Sequence, residues 1–209
     1  VLECEQRTPE WHAARAGRAT GSRAADILAK IKSGEAAARS DYRMQLVCER
    51  LTQQSQESGY INADMQRGID LEPLALAAYE ADTGAFVRPI GFLTHPELMA
   101  GCSPDGEVGS DGIVEFKVTK TATHVGYLRS RKVPADYLLQ ITHNLWISGA
   151  AWCDFVSFDD RLPAALQFLR IRVERAAVDV TAYELSARLF LGEVDKEVEA
   201  VQALAAVAV

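Results

Sequence analysis

Residues 102–117 read Cys-Ser-Pro-Asp-Gly-Glu-Val-Gly-Ser-Asp-Gly-Ile-Val-Glu-Phe-Lys, in which a run of turn-forming residues leads into an apolar segment. Its apolar residues bracket Glu115 and Lys117, a pattern typical of a β-strand that carries both of these side chains on one face. The Asp111-Gly112 pair before the strand predicts a tight hairpin. Asp105 lies on the other arm of that hairpin, so we expect its carboxyl group to converge with Glu115 and Lys117.

Two carboxylates beside a lysine suit a hard divalent cation that acts on a phosphodiester. Mg²⁺ prefers one or two carboxylates, keeps several waters and accepts phosphate oxygens. Asp105, Glu115 and the backbone carbonyl of Phe116 are the predicted ligands, and Mn²⁺ is expected to substitute. Lys117 would orient the attacking water or stabilise charge in the transition state. Taken alone, the short pattern favours a β-turn and a solvated strand edge instead.

The rest of the chain changes that balance, because five motifs follow one another in order. They are Trp11-x₃-Arg15-x-Gly17 with Thr20-Gly21-Ser22, then Gly68-x₃-Glu72-x₂-Ala75, Ser103-Pro104-Asp105-Gly106, Glu115-Phe116-Lys117 and Tyr137-x₂-Gln140. The ordered set, over about residues 7–160, resembles the phage-type alkaline exonucleases, the lambda exonuclease and YqaJ-like family of PD-(D/E)xK nucleases. It is far more specific than any one of its motifs.

The resemblance implies an α/β fold of restriction-endonuclease-like type, with a mixed central β-sheet flanked by helices. It implies a Mg²⁺-dependent 5′→3′ exonuclease that digests one strand of duplex DNA and leaves a 3′ overhang for phage-type recombination by strand annealing. The implied partners are double-stranded DNA ends, two further subunits in a homotrimer ring, and a single-strand annealing protein. Two alternatives remain: a structure-selective or site-specific endonuclease on the same core, and a non-catalytic DNA-binding recombination subunit.

Arg15 and Ser22 are predicted to lie at adjacent helix ends. An arginine beside a helix N-terminus favours an anion, and the resemblance assigns both residues to the terminal 5′-phosphate. It also assigns Glu72 to the metal centre, directly or through water, and Gln140 to closing the active site. The expected DNA contacts are completed by Ser103, Lys120, Arg129 and Arg131.

The helix that carries Gln140 departs from the family pattern. Where lambda exonuclease has a second glutamine two residues further on, this chain has Thr142, followed by His143 and Asn144. His143 is either a substitute polar contact at the site or a buried helix histidine. The sequence leaves that choice open.

The net charge of −7 argues at first against DNA binding, because basic patches supply most non-specific affinity. The charges are unevenly distributed, however. Acids concentrate near the C-terminus, where an acidic outer surface is expected, and bases collect in two places. The acids are Glu193, Asp195, Glu197 and Glu199; the bases are Arg15, Arg18 and Arg23, then Lys117, Lys120, Arg129, Arg131 and Lys132.

At 209 residues and 48% hydrophobic content, the chain predicts one nuclease domain over 1–209. Its four cysteines lack the spacing of zinc or redox motifs, which predicts reduced thiols. No stretch has the pattern of a secretory leader or a membrane span. We expect a cytoplasmic protein of a bacterial host, encoded by a phage or prophage, with no membrane contact.

Hydrophobic periodicity gives the coarse element order. Helices are expected at 9–16, up to 28, at 41–54, from 63, at 135–148 and at about 178–207, and strands at 86–94, 98–102, 115–119, 151–157 and 168–173. The helix at 41–54 is expected to pack against the one that begins near Ala63. The segment 121–132 is expected to face DNA with His124 and its basic residues. The apolar end, 203–209, suggests packing or a subunit contact.

Overall fold

The computed structural model describes residues 2, 4–56 and 61–207, and the last two residues of the apolar end lie outside them. The helices are α1 Pro9–Arg15, α2 Ala24–Ile27, α3 Ala37–Thr52, α4 Ala63–Thr83, α5 Thr121–Ser130, α6 Ala135–Ser148 and α7 Val180–Val207. The strands are β1 Ala19–Thr20, β2 Val87–Arg88, β3 Leu93–Thr94, β4 Ala100–Cys102, β5 Gly106–Val108, β6 Gly112–Val118, β7 Trp152–Phe158 and β8 Phe168–Glu174. Short 3₁₀ turns span Gly21–Arg23, Ala164–Leu166 and Arg175–Ala177.

A five-stranded mixed sheet lies at the centre, in the order β2-β5-β6-β7-β8. Strands β6 and β7 are parallel, and the other neighbours are antiparallel. This confirms the predicted mixed sheet flanked by helices. A second sheet of three short strands, in the order β1-β4-β3, was not predicted.

The two faces of β6 belong to two different apolar clusters, because alternate side chains of a strand point to opposite faces. Val114 and Phe116 pack with Tyr79 of α4. Ile113 belongs to the larger cluster, which α3, α6 and α7 help to build. Glu115 and Lys117 therefore lie on the α6 side of the sheet.

The predicted hairpin is present. Gly106 pairs with Val114 across β5 and β6, and the turn between the strands contains Asp111. Just before β5, the backbone N–H of Asp105 donates to the carbonyl of Val114 at 3.1 Å. The hairpin thus holds Asp105 beside the strand that carries Glu115.

The strand predicted at 86–94 is two strands in different sheets. β2 pairs with β5 in the large sheet, whereas β3 pairs with β4 in the small one. Gly91 lies between them, and a Cβ atom there would be 2.3 Å from the carbonyl oxygen of Leu2. Composition shows that a run is extended, but not that it passes from one sheet to another.

Helix α3 was expected to pack against α4. In the described parts of the chain, it packs mainly against α7 instead. Its buried Tyr42 stacks on Phe190 of α7, with the ring centroids 5.6 Å apart. Ion pairs join the same two helices: Arg39 with Glu193, Arg43 with Glu197, and Arg50 with Asp195. Three of the C-terminal acids therefore stabilise the packing of α7 on α3, although their side chains stay 35–59% exposed at the expected acidic surface.

His124 does not face DNA as expected, because it is fully buried. Its ring nitrogens lie 2.6 Å from Ser157 Oγ and 2.9 Å from the Leu166 carbonyl oxygen. The basic residues at the end of the same helix are exposed.

Helix α7 spans 28 residues and confirms the predicted C-terminal helix. Its inner face is buried, but Leu185, Leu189 and Leu204 are 62%, 62% and 69% exposed. Within the described parts of the chain, none of the helices combines the length and apolarity needed to cross a membrane.

Candidate active site

Strand β6 presents Glu115 and Lys117 on one face, as the sequence predicts. The Lys117 ammonium donates to Glu115 Oε1 at 2.6 Å. Asp105 enters from the neighbouring arm of the hairpin, where its Oδ2 accepts the backbone N–H of Phe116 at 2.6 Å. Two acids and a lysine therefore meet at one point on the sheet.

Helix α6 supplies two amides to the same carboxylate. Gln140 Nε2 donates to Glu115 Oε1 at 2.5 Å, and Asn144 Nδ2 donates to Oε2 at 3.0 Å. The two residues are four apart, so they lie one above the other on one helix face. Since Glu115 is only 3% exposed, its orientation is fixed by these donors.

The pKa values of Asp105 and Lys117 are both raised, for different physical reasons. Burial, and then the neighbouring charge of Glu115, raises the pKa of the Asp105 carboxyl well above its usual value. Burial works against the charge on Lys117, but Glu115 and Asp105 outweigh it and raise the pKa of the ammonium above its ordinary value. Lys117 is therefore a permanent cation at neutral pH, which suits charge stabilisation and not proton abstraction.

Asp105, Phe116 and Lys117 line a cavity with a volume of about 480 Å³. Glu72 of α4 lines the same cavity from another wall. Arg7 holds this carboxylate, with Nη2 at 2.5 Å from Oε2. The backbone of Arg7 has φ = 71°, a left-handed conformation that is uncommon for an arginine.

The cavity suits a hard cation. Lys117 pairs with Glu115 and Arg7 pairs with Glu72, whereas Asp105 is buried against a backbone amide and the charge of Glu115. Among the described residues, no three His, Cys, Asp or Glu side chains are close enough together to hold a metal ion. Mg²⁺ does not need three, since one or two carboxylates with water and phosphate oxygens suffice. Asp105 lines the cavity and Glu115 is buried beside Lys117, so these two carboxylates fit the predicted ion.

The backbone carbonyl of Phe116 is also suitably aimed. In an extended strand, the N–H and C=O of one residue point to the same edge. The Phe116 N–H points at Asp105, so its carbonyl faces the same side, and Phe116 lines the cavity.

A second cluster connects this cavity to α1. Trp11 Nε1 donates to Ser103 Oγ at 2.8 Å, two residues before Asp105. The guanidinium of Arg15 lies over the Trp11 ring, 4.1 Å from its centroid. Arg15 and Ser103 are therefore held together by one indole, and this arrangement brings two predicted DNA contacts beside the acids.

Ser22 lies in the 3₁₀ turn Gly21–Arg23, which together with α2 replaces the single helix expected up to residue 28. It is exposed, and its Oγ is 3.4 Å from Thr20 Oγ1. Thr20 and Arg15 line one small cavity with Tyr42. Ser22 is thus connected to Arg15 through Thr20.

The comparisons with known proteins identify the family of the chain. A model of the YqaJ-like viral recombinase domain matches residues 10–151. The chain belongs to this family. This confirms the resemblance inferred from the five motifs, all of which lie inside the matched range.

Solved structures extend the match to nearly the whole chain. An alkaline exonuclease, LHK-Exo from Laribacter hongkongensis, has 39% sequence identity, with 97% of this chain and 100% of that chain covered and a TM-score of 0.87. Its complex with dAMP gives 40% identity, the same coverage and a TM-score of 0.88. A phage-related exonuclease from Haemophilus somnus 129PT shares the fold at 14% identity, with 89% and 95% covered and a TM-score of 0.69. No curated protein sequence matches the chain.

The three remaining predicted DNA contacts of this YqaJ-like chain lie at the two ends of α5. Lys120 precedes α5, is 70% exposed and pairs with Asp64 at 3.1 Å. Arg129 and Arg131 are exposed at the far end of α5. Ten helical residues span about 15 Å, so these two could contact DNA only beyond the reacting phosphate.

The structure shows what residues 142–144 do at the point where α6 departs from the family pattern. His143 is fully buried, 2.8 Å from Tyr183 Oη and 2.9 Å from the Gly101 carbonyl oxygen, so it supports the core. Thr142 Oγ1 donates within the helix to the Leu138 carbonyl at 2.7 Å. The second amide at the site of this family member comes from Asn144.

Three residues at the site had no role assigned from sequence: Asn144, Tyr137, although it belongs to one of the five motifs, and Arg7. The Lys117 ammonium lies 5.1 Å from the Tyr137 ring centroid. Helical spacing could have found Tyr137 and Asn144, since they lie three residues before and four after Gln140. We find no local signal for Arg7, because its partner Glu72 is 65 residues away.

Proposed function

We propose that the chain is a Mg²⁺-dependent 5′→3′ exonuclease, with Mn²⁺ as a substitute ion, that digests one strand of duplex DNA and leaves a 3′ overhang. The observation that carries this proposal is the junction of two clusters: the acids with Lys117, and the Arg15–Trp11–Ser103 group, whose Ser103 lies two residues before Asp105 in the chain. One cluster suits hydrolysis of a phosphodiester, and the other suits a terminal phosphate. The family and the LHK-Exo match support a nuclease role.

Each residue has a distinct task in this proposal. Asp105, Glu115 and the Phe116 carbonyl would hold Mg²⁺, which supplies charge neutralisation at the phosphate and a more acidic water. Lys117, held as a cation by two carboxylates, would stabilise the charge that develops on the phosphate oxygens. Gln140 fixes Glu115, and Glu72 faces the cavity from the other wall.

The 5′-phosphate would lie against Arg15, with Ser22 and Ser103 as hydroxyl contacts. A guanidinium grips phosphate through two parallel charge-assisted bonds, and the indole beneath Arg15 fixes its plane. Lys120, Arg129 and Arg131 would follow the duplex along α5. The crystallised LHK-Exo complex contains dAMP, which is the class of product that stepwise digestion of DNA releases.

One duplex labelled internally and at both ends tests this function against the alternatives. With Mg²⁺, the proposed enzyme releases the 5′ label as a mononucleotide and then shortens only the strand that carried it. Internal fragments from the start of the reaction would indicate an endonuclease. Binding without any cleavage, in Mg²⁺ or Mn²⁺, would leave the non-catalytic subunit.

We also propose the assembly that the family resemblance implies, a homotrimer ring that delivers overhangs to a single-strand annealing protein in phage-type recombination. A closed ring would retain DNA without strong non-specific attraction, which a chain of net charge −7 lacks. The exposed leucines on α7 provide apolar surface for such contacts. Light scattering measures the mass: three chains support the ring, and a monomer together with release after a few nucleotides contradicts it.

A further inference from the structure

The side chain of Asn144 is only 2% exposed and lies between Glu115 and Gly21. Its Nδ2 donates to Glu115 Oε2 at 3.0 Å. An ionised carboxylate can only accept hydrogen bonds, so the nitrogen must face Glu115 and the amide oxygen must point the other way. The orientation of the amide therefore follows from its partner.

The amide oxygen faces the turn that carries Ser22. A Cβ atom built on Gly21 would lie 2.4 Å from Asn144 Oδ1 and 3.4 Å from Gln140 Cγ. Gly21 is buried, with Thr20 and Ser22 on either side. The turn thus rests directly on the Asn144 amide and on the methylene of Gln140, the two side chains of α6 that hold Glu115, and it can do so because position 21 has no side chain.

We infer that Asn144 is a positioning residue that links the Thr20–Ser22 turn to Glu115, so that the turn beside the 5′-phosphate cluster helps to set the orientation of a metal-binding carboxylate. This inference rests on the proposed function. It goes beyond it by assigning a physical connection between the place where the DNA end is held and the place where the bond is broken.

Loss of the Asn144 contact would change the orientation of the Glu115 carboxylate. With Oε2 of Glu115 released, the carboxylate can rotate about its remaining contacts, since Gln140 and Lys117 both hold Oε1. Loss of a group that orients a metal ligand typically lowers metal affinity or activity by about 10–100-fold. Displacement of the turn would act through Asn144 in the same direction.

The first experiment compares Asn144→Ala with wild type. We expect Mn²⁺ to bind DNA-free protein about 10–100-fold more weakly by calorimetry. At saturating Mg²⁺, kcat should fall while KM for duplex ends stays within about twofold, because Asn144 contacts Glu115 and not DNA. Thr142→Val is the matched control: it is buried on the same helix and bonds only within it among the described residues.

A second variant separates loss of the hydrogen-bond donor from misfolding of the protein. Asn144→Asp keeps the shape of the side chain but removes the donor and adds a like charge beside Glu115. It should weaken Mn²⁺ binding at least as much as Asn144→Ala. Thermal melting of all variants shows whether the fold is retained.

The link itself is tested by a double-mutant cycle with Gly21→Ala. The new methyl group should push the Asn144 amide aside and lower both Mn²⁺ affinity and kcat. In the Asn144→Ala background that clash is gone, so the double variant should be no worse than the poorer single variant. Losses that simply multiply would overturn the link, as would normal Mn²⁺ binding by Asn144→Ala and Asn144→Asp.

Failure of the inference is distinguishable from failure of the proposed function. If wild type neither hydrolyses DNA nor binds Mn²⁺, the proposed function fails. The side-chain amide resonances of Asn144, compared by NMR between wild type and Gly21→Ala, still decide the link. Unchanged resonances would refute it, and shifted ones would support it.

Discussion

Replacement of His143 by glutamine should flatten the pH dependence of stability on the acid side. The imidazole is fully buried between Tyr183 and Gly101. A carbonyl oxygen can only accept, so Nε2–H donates to Gly101 and Nδ1 accepts from the Tyr183 hydroxyl. The fold therefore holds the neutral ring, and a glutamine amide offers the same pair of one donor and one acceptor.

The magnitude follows from the pKa of this histidine. Burial lowers the pKa of His143 from 6.5 to about 4. Between those values the unfolded chain binds a proton that the folded chain does not, so stability falls as the pH falls. The contribution is fully present above pH 6.5 and is lost by pH 4. Each pKa unit is worth about 1.4 kcal/mol, so the loss is about 3 kcal/mol.

Urea unfolding at a series of pH values from 8 to 4 measures this difference. Wild type should lose about 3 kcal/mol more unfolding free energy over that range than His143→Gln. Acidic residues titrate in both proteins, so their contribution cancels in the comparison. Thr142→Val, on the same helix but without an ionisable group, should follow the wild-type curve. Parallel curves for wild type and His143→Gln would show that His143 is not held neutral by the fold.

Four further changes test the site. Asp105→Ala should lower Mg²⁺-dependent hydrolysis at least about a hundredfold, since it removes a metal ligand; activity within tenfold of wild type would contradict that role. Lys117→Ala should lose about a hundredfold in kcat yet bind duplex ends in Ca²⁺ almost normally; collapse of binding would make it a DNA anchor. Arg15→Ala should remove most of the preference for 5′-phosphorylated ends. Equal wild-type rates on phosphorylated and hydroxyl ends would refute the phosphate pocket. Arg129→Ala combined with Arg131→Ala should reduce the slope of log affinity against log salt by about 2, and an unchanged slope would exclude phosphate contacts there.

The cluster of Asp105, Glu115 and Lys117 could be predicted from sequence because its parts are local. Glu115 and Lys117 share a strand, and the Asp111-Gly112 turn returns the chain to Asp105 within a single hairpin. Period-two alternation and turn chemistry are enough to predict such an arrangement. Gln140 lies on a different element, and only the resemblance indicated that α6 would bring it to Glu115.

What the sequence could not predict depends on long-range packing. Asn144 follows Gln140 by one helical turn, but nothing local says that the same face meets the Thr20–Ser22 turn. His124 has the polarity of a DNA contact, yet the fold buries it against Ser157 and the Leu166 carbonyl. The split of 86–94 between two sheets has the same origin, because propensity describes extended backbone and not its partner strand.

The charge pattern shows why net charge is a poor guide to DNA binding in this chain. Arg39, Arg43 and Arg50 pair with Glu193, Glu197 and Asp195, so six of the charges counted from sequence act between α3 and α7. Removing those three pairs from the sum leaves the total of −7 unchanged, but each of the three paired acids has an arginine beside it that offsets its charge. Arg129, Arg131 and Lys132 stay exposed at one end of α5, and Arg15 is fixed beside Ser103. Affinity for DNA would then depend on a few placed cations, each felt within a Debye length of about 8–10 Å, and not on the charge of the whole molecule.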